Sequence, residues 1–156
     1  MSNYCNLIKI SSQKLEEINK NRNSYNDDFW NKLTINYKLS EEFIEKNWNY
    51  FNRDDICNWQ KLSEDFIRKH IDKLDLEIIS MHQNLSINFI REFFDELDSD
   101  SISWYQKLNK KFIKDFYEKL NLNDIKIRNL IEDFMSEDEL ESLIVLKKLM
   151  NNEKNQ

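Results

Sequence analysis

The sequence predicts an all-α protein, an α-solenoid of tandem helix–turn–helix repeats with a C-terminal capping helix. Two observations predict this fold class. A 23-residue unit occurs four times without an inserted or deleted residue, over residues 39–61, 62–84, 85–107 and 108–130. Within each unit the apolar residues recur at helical spacing, and nothing alternates with the period of two that marks a strand. Such a fixed period is typical of stacked units that are each too small to bury an apolar face alone.

The first half of each unit is predicted to form a helix of about three turns. Counted from the leading leucine, the apolar residues of one copy make a single stripe along this helix. In the first copy they are Leu39, Phe43, Ile44, Trp48 and Phe51. The second position carries a short polar side chain of the kind that caps helix N-termini, and its occupants are Ser40, Ser63, Ser86 and Asn109.

The second half of each unit is predicted to form a helix of about two turns. Position 14 is again a capping residue, which can end one helix and start the next without glycine or proline. Its occupants are Asn52, Asp75, Asp98 and Asn121. Position 18 is isoleucine in every copy, and position 19 is small in the first three copies, which predicts a close contact between helices.

The segments on either side of the four copies are expected to cap the array, so that residues 1–156 form a single domain. Residues 1–38 look like degenerate N-terminal units, because Leu33 falls at the position of the invariant isoleucine. After residue 130 the register is lost. Ser136 and the three acidic residues behind it predict a last helix, residues 131–156 thus forming a capping helix and a tail that frays from Asn151 onward.

The composition excludes several large classes of enzyme. The chain has no glycine, and P-loops, dinucleotide-binding turns and G-x-S-x-G nucleophile elbows each need backbone positions that only glycine tolerates. Proline and alanine are also missing, while residues with AT-rich codons are frequent. An AT-rich source genome therefore explains much of the Asn and Lys content.

The net charge of −6 is spread unevenly along the chain. Residues 1–38 carry six basic and four acidic side chains (+2), the four copies carry fourteen and eighteen (−4), and residues 131–156 carry three and seven (−4). A mildly acidic array is a poor candidate for binding the phosphate backbone of nucleic acid. No apolar run approaches the roughly 20 residues that span a membrane, and no signal peptide precedes the fold, so we expect a cytoplasmic protein.

The units read L-S-x-x-F-I followed by I-S-x-x-Q, at residues 62–67 with 79–83 and at residues 85–90 with 102–106. The first copy has Cys57 in place of the second serine, and the fourth lacks both serine and glutamine. This pattern resembles a loosely defined group of short-repeat proteins found in phage and large DNA virus genomes, which have no established common function. The resemblance implies an interaction module in the host cytosol that blocks a host protein or ribonucleoprotein, such as an anti-CRISPR or other anti-defence inhibitor.

Position 21 is the main candidate for partner recognition. It varies within an otherwise constant frame, and its occupants are Trp59, His82, Tyr105 and Arg128. Repeat proteins place recognition residues at such positions, and Trp, Tyr and Arg commonly anchor interfaces. The alternative is that these side chains only fill space between units, which fits His82 best.

Acidic residues at the bends form a second candidate set, Asp54, Asp55, Asp98 and Asp100. They lie where acidic residues cap a helix, and no nucleophile with a base partner accompanies them. We therefore expect no enzyme, and we assign these residues to a partner-binding surface. Cys57, His70 and His82 lack the spacing of zinc ligands, so neither a metal nor a cofactor is expected.

Two recurring residue types are expected to be structural. The glutamines of position 22 either face a ligand or satisfy the backbone at a helix end, and we favour the second interpretation. They are Gln60, Gln83 and Gln106. The tryptophans form either an exposed stacking surface or part of the core, and we favour the core. They are Trp30, Trp48, Trp59 and Trp104.

The sequence supports two function hypotheses. The first is a non-catalytic, protein-binding α-repeat module. The alternative is a protein that binds a guide RNA or another single strand through lysines and aromatic residues near residues 107–119. The lysines of this segment are Lys107, Lys110, Lys111, Lys114 and Lys119.

Overall fold

A computed structural model describes residues 8–128 and 135–154 of the chain, without the side chains of residues 126–128, 153 and 154. It is mostly helical, as the sequence predicts, and it divides into two compact units, Met1–Gln83 and Asn84–Gln156. The elements of unit 1 are β1 (Ile8–Lys9), α1 (Ser12–Asn21), α2 (Asp27–Asn36), β2 (Tyr37–Lys38), α3 (Glu41–Lys46), α4 (Arg53–Trp59), α5 (Glu64–Lys69) and α6 (Leu76–His82). Those of unit 2 are α7 (Ile87–Glu92), α8 (Ser99–Tyr105), α9 (Lys110–Phe116), α10 (Leu122–Arg128) and α11 (Glu137–Lys154).

The first helix of each copy begins where the capping residue of position 2 predicts. The side chains of these residues accept a hydrogen bond from the backbone N–H three residues on, at Phe43, Phe66, Phe89 and Phe112. These phenylalanines and the isoleucines that follow them are buried. A single N-cap bond therefore fixes the start of each helix and the direction of its apolar stripe.

The first helix is shorter than the predicted three turns. In the first three copies it ends after six residues, because position 9 leaves the helical region with φ between −119° and −114° and ψ between 18° and 24°. A tighter turn follows, closed by bonds such as the one from the Tyr50 N–H to the Asn47 carbonyl, at 2.9 Å. The turn brings position 13 into the core, where Phe51, Leu74, Leu97 and Leu120 are buried.

The second helices have the predicted length. Helices α4, α6, α8 and α10 each span seven residues, and the side chains of the position 14 residues accept bonds from the first backbone N–H groups of these helices. Their invariant isoleucines are between 0 and 1% exposed, and the small residues beside them are buried. Thr34 of α2 occupies the equivalent small position in the degenerate unit before the first copy. The small side chains allow second helices to pack closely, as α2 does on α4 and α4 on α6 within unit 1.

Buried glutamines connect successive copies. The Gln83 side chain accepts a hydrogen bond from the Leu62 N–H (3.0 Å) and donates to the carbonyls of Cys57 (2.6 Å) and Gln60 (2.8 Å). The Gln60 side chain makes the same three bonds one copy earlier, to the Leu39 N–H and the carbonyls of Thr34 and Tyr37. In unit 2 the Gln106 side chain accepts from the Leu85 N–H at 3.2 Å. The prediction that these glutamine side chains satisfy backbone groups is confirmed.

Two short strands precede the four copies, and the long helix α11 follows them. Strands β1 and β2 pair in parallel, with Ile8 opposite Tyr37 and Lys9 opposite Lys38. Helix α11 begins with a reciprocal capping box, in which the Ser136 and Glu139 side chains each accept the other residue's backbone N–H. Helix α11 runs to Lys154, so the expectation of a frayed tail from Asn151 is wrong for this stretch, because the helix continues through it. Within the described ranges, no helix is long and apolar enough to cross a membrane.

Candidate functional site

The glutamine bonds place the position 21 residues of unit 1 in one row. Gln60 and Gln83 directly follow Trp59 and His82, and the Gln83 side chain joins the C-terminal end of α6 to that of α4. Trp59 and His82 therefore lie at the same end of two packed helices, and both are half-buried. Burial lowers the pKa of His82, which favours its neutral form at physiological pH.

Asn36 extends this row by one residue that sequence reasoning missed. It lies at the end of α2, two residues after the buried Thr34, and the Gln60 side chain joins this end of α2 to α4. Asn36 is exposed, and its side-chain amide donates to the Lys32 carbonyl one turn back, at 2.7 Å. The sequence does contain a signal for this residue, because Leu33 lies at position 18 of the degenerate unit and Asn36 therefore lies at position 21. We call Asn36, Trp59 and His82 the variable row.

Unit 2 carries one described side chain at position 21. Tyr105 is 38% exposed at the end of α8, which makes it one of the more exposed large residues of the described chain. The side chain of Arg128, at the end of α10, lies outside the described residues. Helices α8 and α10 pack against each other, as α4 and α6 do in unit 1.

The acidic candidates lie at the N-terminal ends of second helices. Asp98 is the N-cap of α8 and accepts the Ser101 N–H at 2.7 Å, which is the capping role expected from its position. Asp54 is exposed and Asp55 half-buried, and burial together with the Asp54 charge raises the pKa of Asp55. Asp55 and Trp59 are separated by one helical turn and therefore share a face of α4.

Asp100 lines a polar cavity of about 300 Å³ in unit 2, together with Asn121, Asn123 and two lysines of α11. One of these, Lys147, donates to the Leu120 carbonyl at 2.6 Å, so it ties α11 to the end of the fourth copy's first half. The cavity is a polar seam beside α11.

Most of the lysines proposed for nucleic-acid binding have partners inside unit 2. Lys110 and Lys114 both bind the Glu139 carboxylate, at 2.7 and 3.3 Å. Lys119 forms an ion pair with Asp95 and lies over the Phe94 ring. Lys107 and Lys111 are exposed and lie outside these pairs.

Glu139 therefore neutralises the centre of the basic segment. Its bond to Lys110, the Ser136 N–H and the bond to Lys114 together lower the pKa of this carboxylate to about 2. Two aromatic residues of the segment also have partners, since Phe112 and Phe116 stack on each other and Arg91 lies over both rings.

The expectation that the tryptophans belong to the core is confirmed for Trp30 alone, because Trp48, Trp59 and Trp104 are half-buried. Trp30 is 1% exposed at the centre of an aromatic cluster in unit 1, where its neighbours include Tyr50 and Phe51. Trp48 is half-buried and stacks on His70, with ring centroids 4.5 Å apart. Where the structure describes the chain, no three His, Cys, Asp or Glu side chains are grouped so that they could hold a metal ion.

The comparisons with known proteins add no family to this description. No protein-family model, no curated protein and no solved structure matches the chain.

Proposed function

We propose that this chain is a non-catalytic module that binds a protein partner through the variable row and the corresponding residues of unit 2. The observation that carries the proposal is the variable row itself. Three unrelated side chains stand at one repeat position, and the glutamine bonds hold that position in register within unit 1. Repeat proteins use such fixed frames with variable side chains for recognition.

The chemistry of these residues supports a protein partner. Trp59 and Tyr105 offer large amphipathic rings at modest entropic cost, and both retain exposed surface. Asp54 and Asp55 add negative charge one turn from Trp59, on the same helix. A partner surface with an apolar pocket and basic residues at its rim would complement this arrangement.

We further propose how the four copies are arranged and in which cellular setting the chain acts. The recurring bonds of Gln60 and Gln83 support stacking of all four copies into one α-solenoid, because every copy carries the same leading leucine and invariant isoleucine. The resemblance to viral short-repeat proteins supports a host protein or ribonucleoprotein as the partner and inhibition in the host cytosol as the outcome.

The nucleic-acid alternative receives less support. Lys110, Lys114 and Lys119 are paired with carboxylates, so they would have to leave those partners to bind phosphate. The four copies also carry a net charge of −4, which opposes binding to a polyanion. We expect no shift in fluorescence anisotropy when a labelled single-stranded RNA is titrated with the protein at physiological salt.

The test compares two triple variants for capture of partners from a host lysate. Trp59→Ala, Tyr105→Ala and Arg128→Ala remove the proposed anchors, and Lys38→Ala, Lys61→Ala and Lys73→Ala serve as exposed controls. A partner retained by the wild type and the control should be lost at least tenfold with the anchor variant, as expected for hot-spot residues. Equal capture by two folded variants would refute the proposal, and so would turnover of a substrate abolished by changing one carboxylate.

A further inference from the structure

Ion pairs join the first helices of successive copies at a fixed pair of repeat positions. In unit 1 the Lys69 ammonium of α5 lies 2.6 Å from the Glu45 carboxylate of α3. In unit 2 the Arg91 guanidinium of α7 lies 3.0 Å from the Asp115 carboxylate of α9. Both pairs join position 7 of one copy to position 8 of the next, 24 residues later. The arrangement therefore belongs to the repeat, although the acidic and basic partners change places between the two pairs.

The charges at these two positions distinguish the first two copies from the others. Position 7 is acidic in the first copy and basic in the other three, where its occupants are Arg68, Arg91 and Lys114. Position 8 is basic in the first two copies and acidic in the other two, where its occupants are Glu92 and Asp115. Glu45 therefore matches the opposite charge of position 8 in the second copy and the same charge of position 8 in the third and fourth.

The apolar frame of the copies cannot make this distinction. The leading leucine, the Phe-Ile pair and the invariant isoleucine recur in every copy, and the Gln60 side chain makes the same kinds of bond as the Gln83 side chain. The frame of one copy is thus complementary to the frame of any other. A stack that skips one copy loops out 23 residues, and the entropy cost of closing a loop grows only slowly with its length. Misassembly is a characteristic failure of repeat proteins, so a chain of this kind needs a further device that selects neighbours.

We propose that Glu45 and Lys69 restrict the first copy to the second copy as its neighbour during folding. In the native contact the carboxylate and the ammonium attract each other. If the third or fourth copy took the place of the second, Glu45 would face Glu92 or Asp115. An exposed ion pair changes an equilibrium about two- to fivefold, and a like-charged pair acts by a similar factor in the opposite direction. The difference between the two favours the correct neighbour by about tenfold.

The surroundings of Glu45 determine when this preference acts. The His70 Nε2 lies 3.2 Å from the same carboxylate oxygen, and the His70 ring stacks on Trp48 of the first copy. The bond to Lys69, followed by the bond to His70, lowers the pKa of Glu45, so the carboxylate stays charged throughout the neutral range. The side chains of Glu45 and Lys69 are 34% and 61% exposed, so dissolved salt screens their attraction. The preference should therefore be large at low ionic strength and small at high ionic strength.

Refolding kinetics report on the choice of neighbour because this chain lacks the usual sources of slow folding. The sequence contains no proline, so prolyl isomerisation cannot delay folding, and an added reductant prevents disulfide exchange. A slow refolding phase then identifies chains that must first undo a wrong stack. This proposal concerns the folding of the chain, and it is independent of the variable row and of the function proposed for it.

The experiment compares the full chain with variants in which these charges are reversed. Glu45→Lys and Lys69→Glu are made singly and together. The double variant, called the exchange variant, keeps an ion pair and the net charge, but its signs are those of the Arg91–Asp115 pair. Lys14→Glu with Glu17→Lys is the matched control, because these two residues form an ion pair within α1, at 2.9 Å. Urea unfolding and stopped-flow refolding, both followed by circular dichroism, are recorded at low salt and in about 1 M NaCl, where the screening length is about 3 Å.

Each single variant should lower the folding equilibrium constant about two- to fivefold, and the exchange variant should restore it to within about twofold of the wild type. At low salt the exchange variant should nevertheless send more of its chains through slow refolding phases than the wild type and the control do, by about a factor of two or more. High salt should raise the slow fraction of the wild type towards that of the exchange variant. An exchange variant that refolds like the wild type would overturn the proposal, and so would single variants whose stability is undiminished.

Discussion

Replacing Gln83 by alanine should destabilise the chain by about 3–5 kcal/mol. The Gln83 side chain is 2% exposed and makes three hydrogen bonds to backbone groups. Truncation leaves the Leu62 N–H and the carbonyls of Cys57 and Gln60 without these partners. An unsatisfied buried group costs about 1–3 kcal/mol, and water that enters the vacated space recovers part of the total.

The measurement is urea unfolding followed by circular dichroism, with the slope of the transition compared between variants. Gln13→Ala is the matched control, because Gln13 is exposed on α1 and its loss should change stability by less than about 0.5 kcal/mol. A loss below about 1 kcal/mol for Gln83→Ala would refute the reasoning, since the three bonds would then contribute nothing beyond what water provides.

Gln83→Glu tests the direction of the same bonds. A carboxylate can still accept the Leu62 N–H, but it places negative charge beside two carbonyl oxygens that now receive an N–H. The pKa of the introduced Glu should therefore lie above its unfolded value of about 4.3. Stability should be greatest below that value, where the acid is neutral, and should fall as the pH rises through the folded pKa. Stability independent of pH between about 4 and 8 would contradict this assignment.

Three further predictions concern other buried or charged groups. Phe66→Ala and Phe89→Ala should each cost about 3–5 kcal/mol in chemical denaturation, since both rings are at most 4% exposed; a loss below about 1 kcal/mol would contradict their burial. In a variant in which Cys57 is the sole cysteine, we expect its thiol to react with a thiol reagent at pH 8 only when the protein unfolds, because burial raises the pKa of the thiol to about 12. Rapid labelling of the folded protein would refute this. The pKa of Glu139 is lowered to about 2, chiefly by Lys110, so its carboxylate stabilises the fold above pH 4.5 and ceases to do so as the pH falls towards 2. Glu139→Gln should therefore flatten the pH dependence of the free energy of unfolding between these values. An unchanged profile would count against the pairing of Glu139 with Lys110.

The sequence predicts helix starts well because a cap is a local interaction. Ser40 and Asn52 each bond an N–H within three residues, and the same holds one period later. The early end of the first helix was not predictable in this way. The residues at position 9 include Asn47, which is 1% exposed and donates to Asn19 of α1, a contact that depends on the tertiary fold.

The candidate site was predictable only in part. The repeat register identifies position 21, and in the structure Trp59 and His82 do lie at the same end of packed helices. The pairing of Lys110 and Lys114 with Glu139 was not visible in sequence, because the lysines and the carboxylate are 25 to 29 residues apart.

The glutamines also explain how helices α4, α6 and α8 end without glycine. Helices commonly end at a glycine in the left-handed region, which satisfies the last carbonyls. Here Gln60, Gln83 and Gln106 are extended, with φ between −101° and −93°, a conformation open to any residue. Their N–H groups bond the invariant isoleucine carbonyls, at 3.0 to 3.1 Å.

The carbonyls left over at the end of one helix are satisfied by the next copy. Those of Cys57 and Gln60 receive the amide of Gln83, and those of Thr34 and Tyr37 receive the amide of Gln60. The ends of α2 and α4 are thus each completed by a residue 23 to 26 positions later in the chain. A single copy excised from the array would carry uncapped carbonyls as well as an uncovered apolar face, and both costs oppose its folding alone. The exact period of the sequence follows from this dependence, since an inserted residue would move the glutamine away from the carbonyls that it must reach.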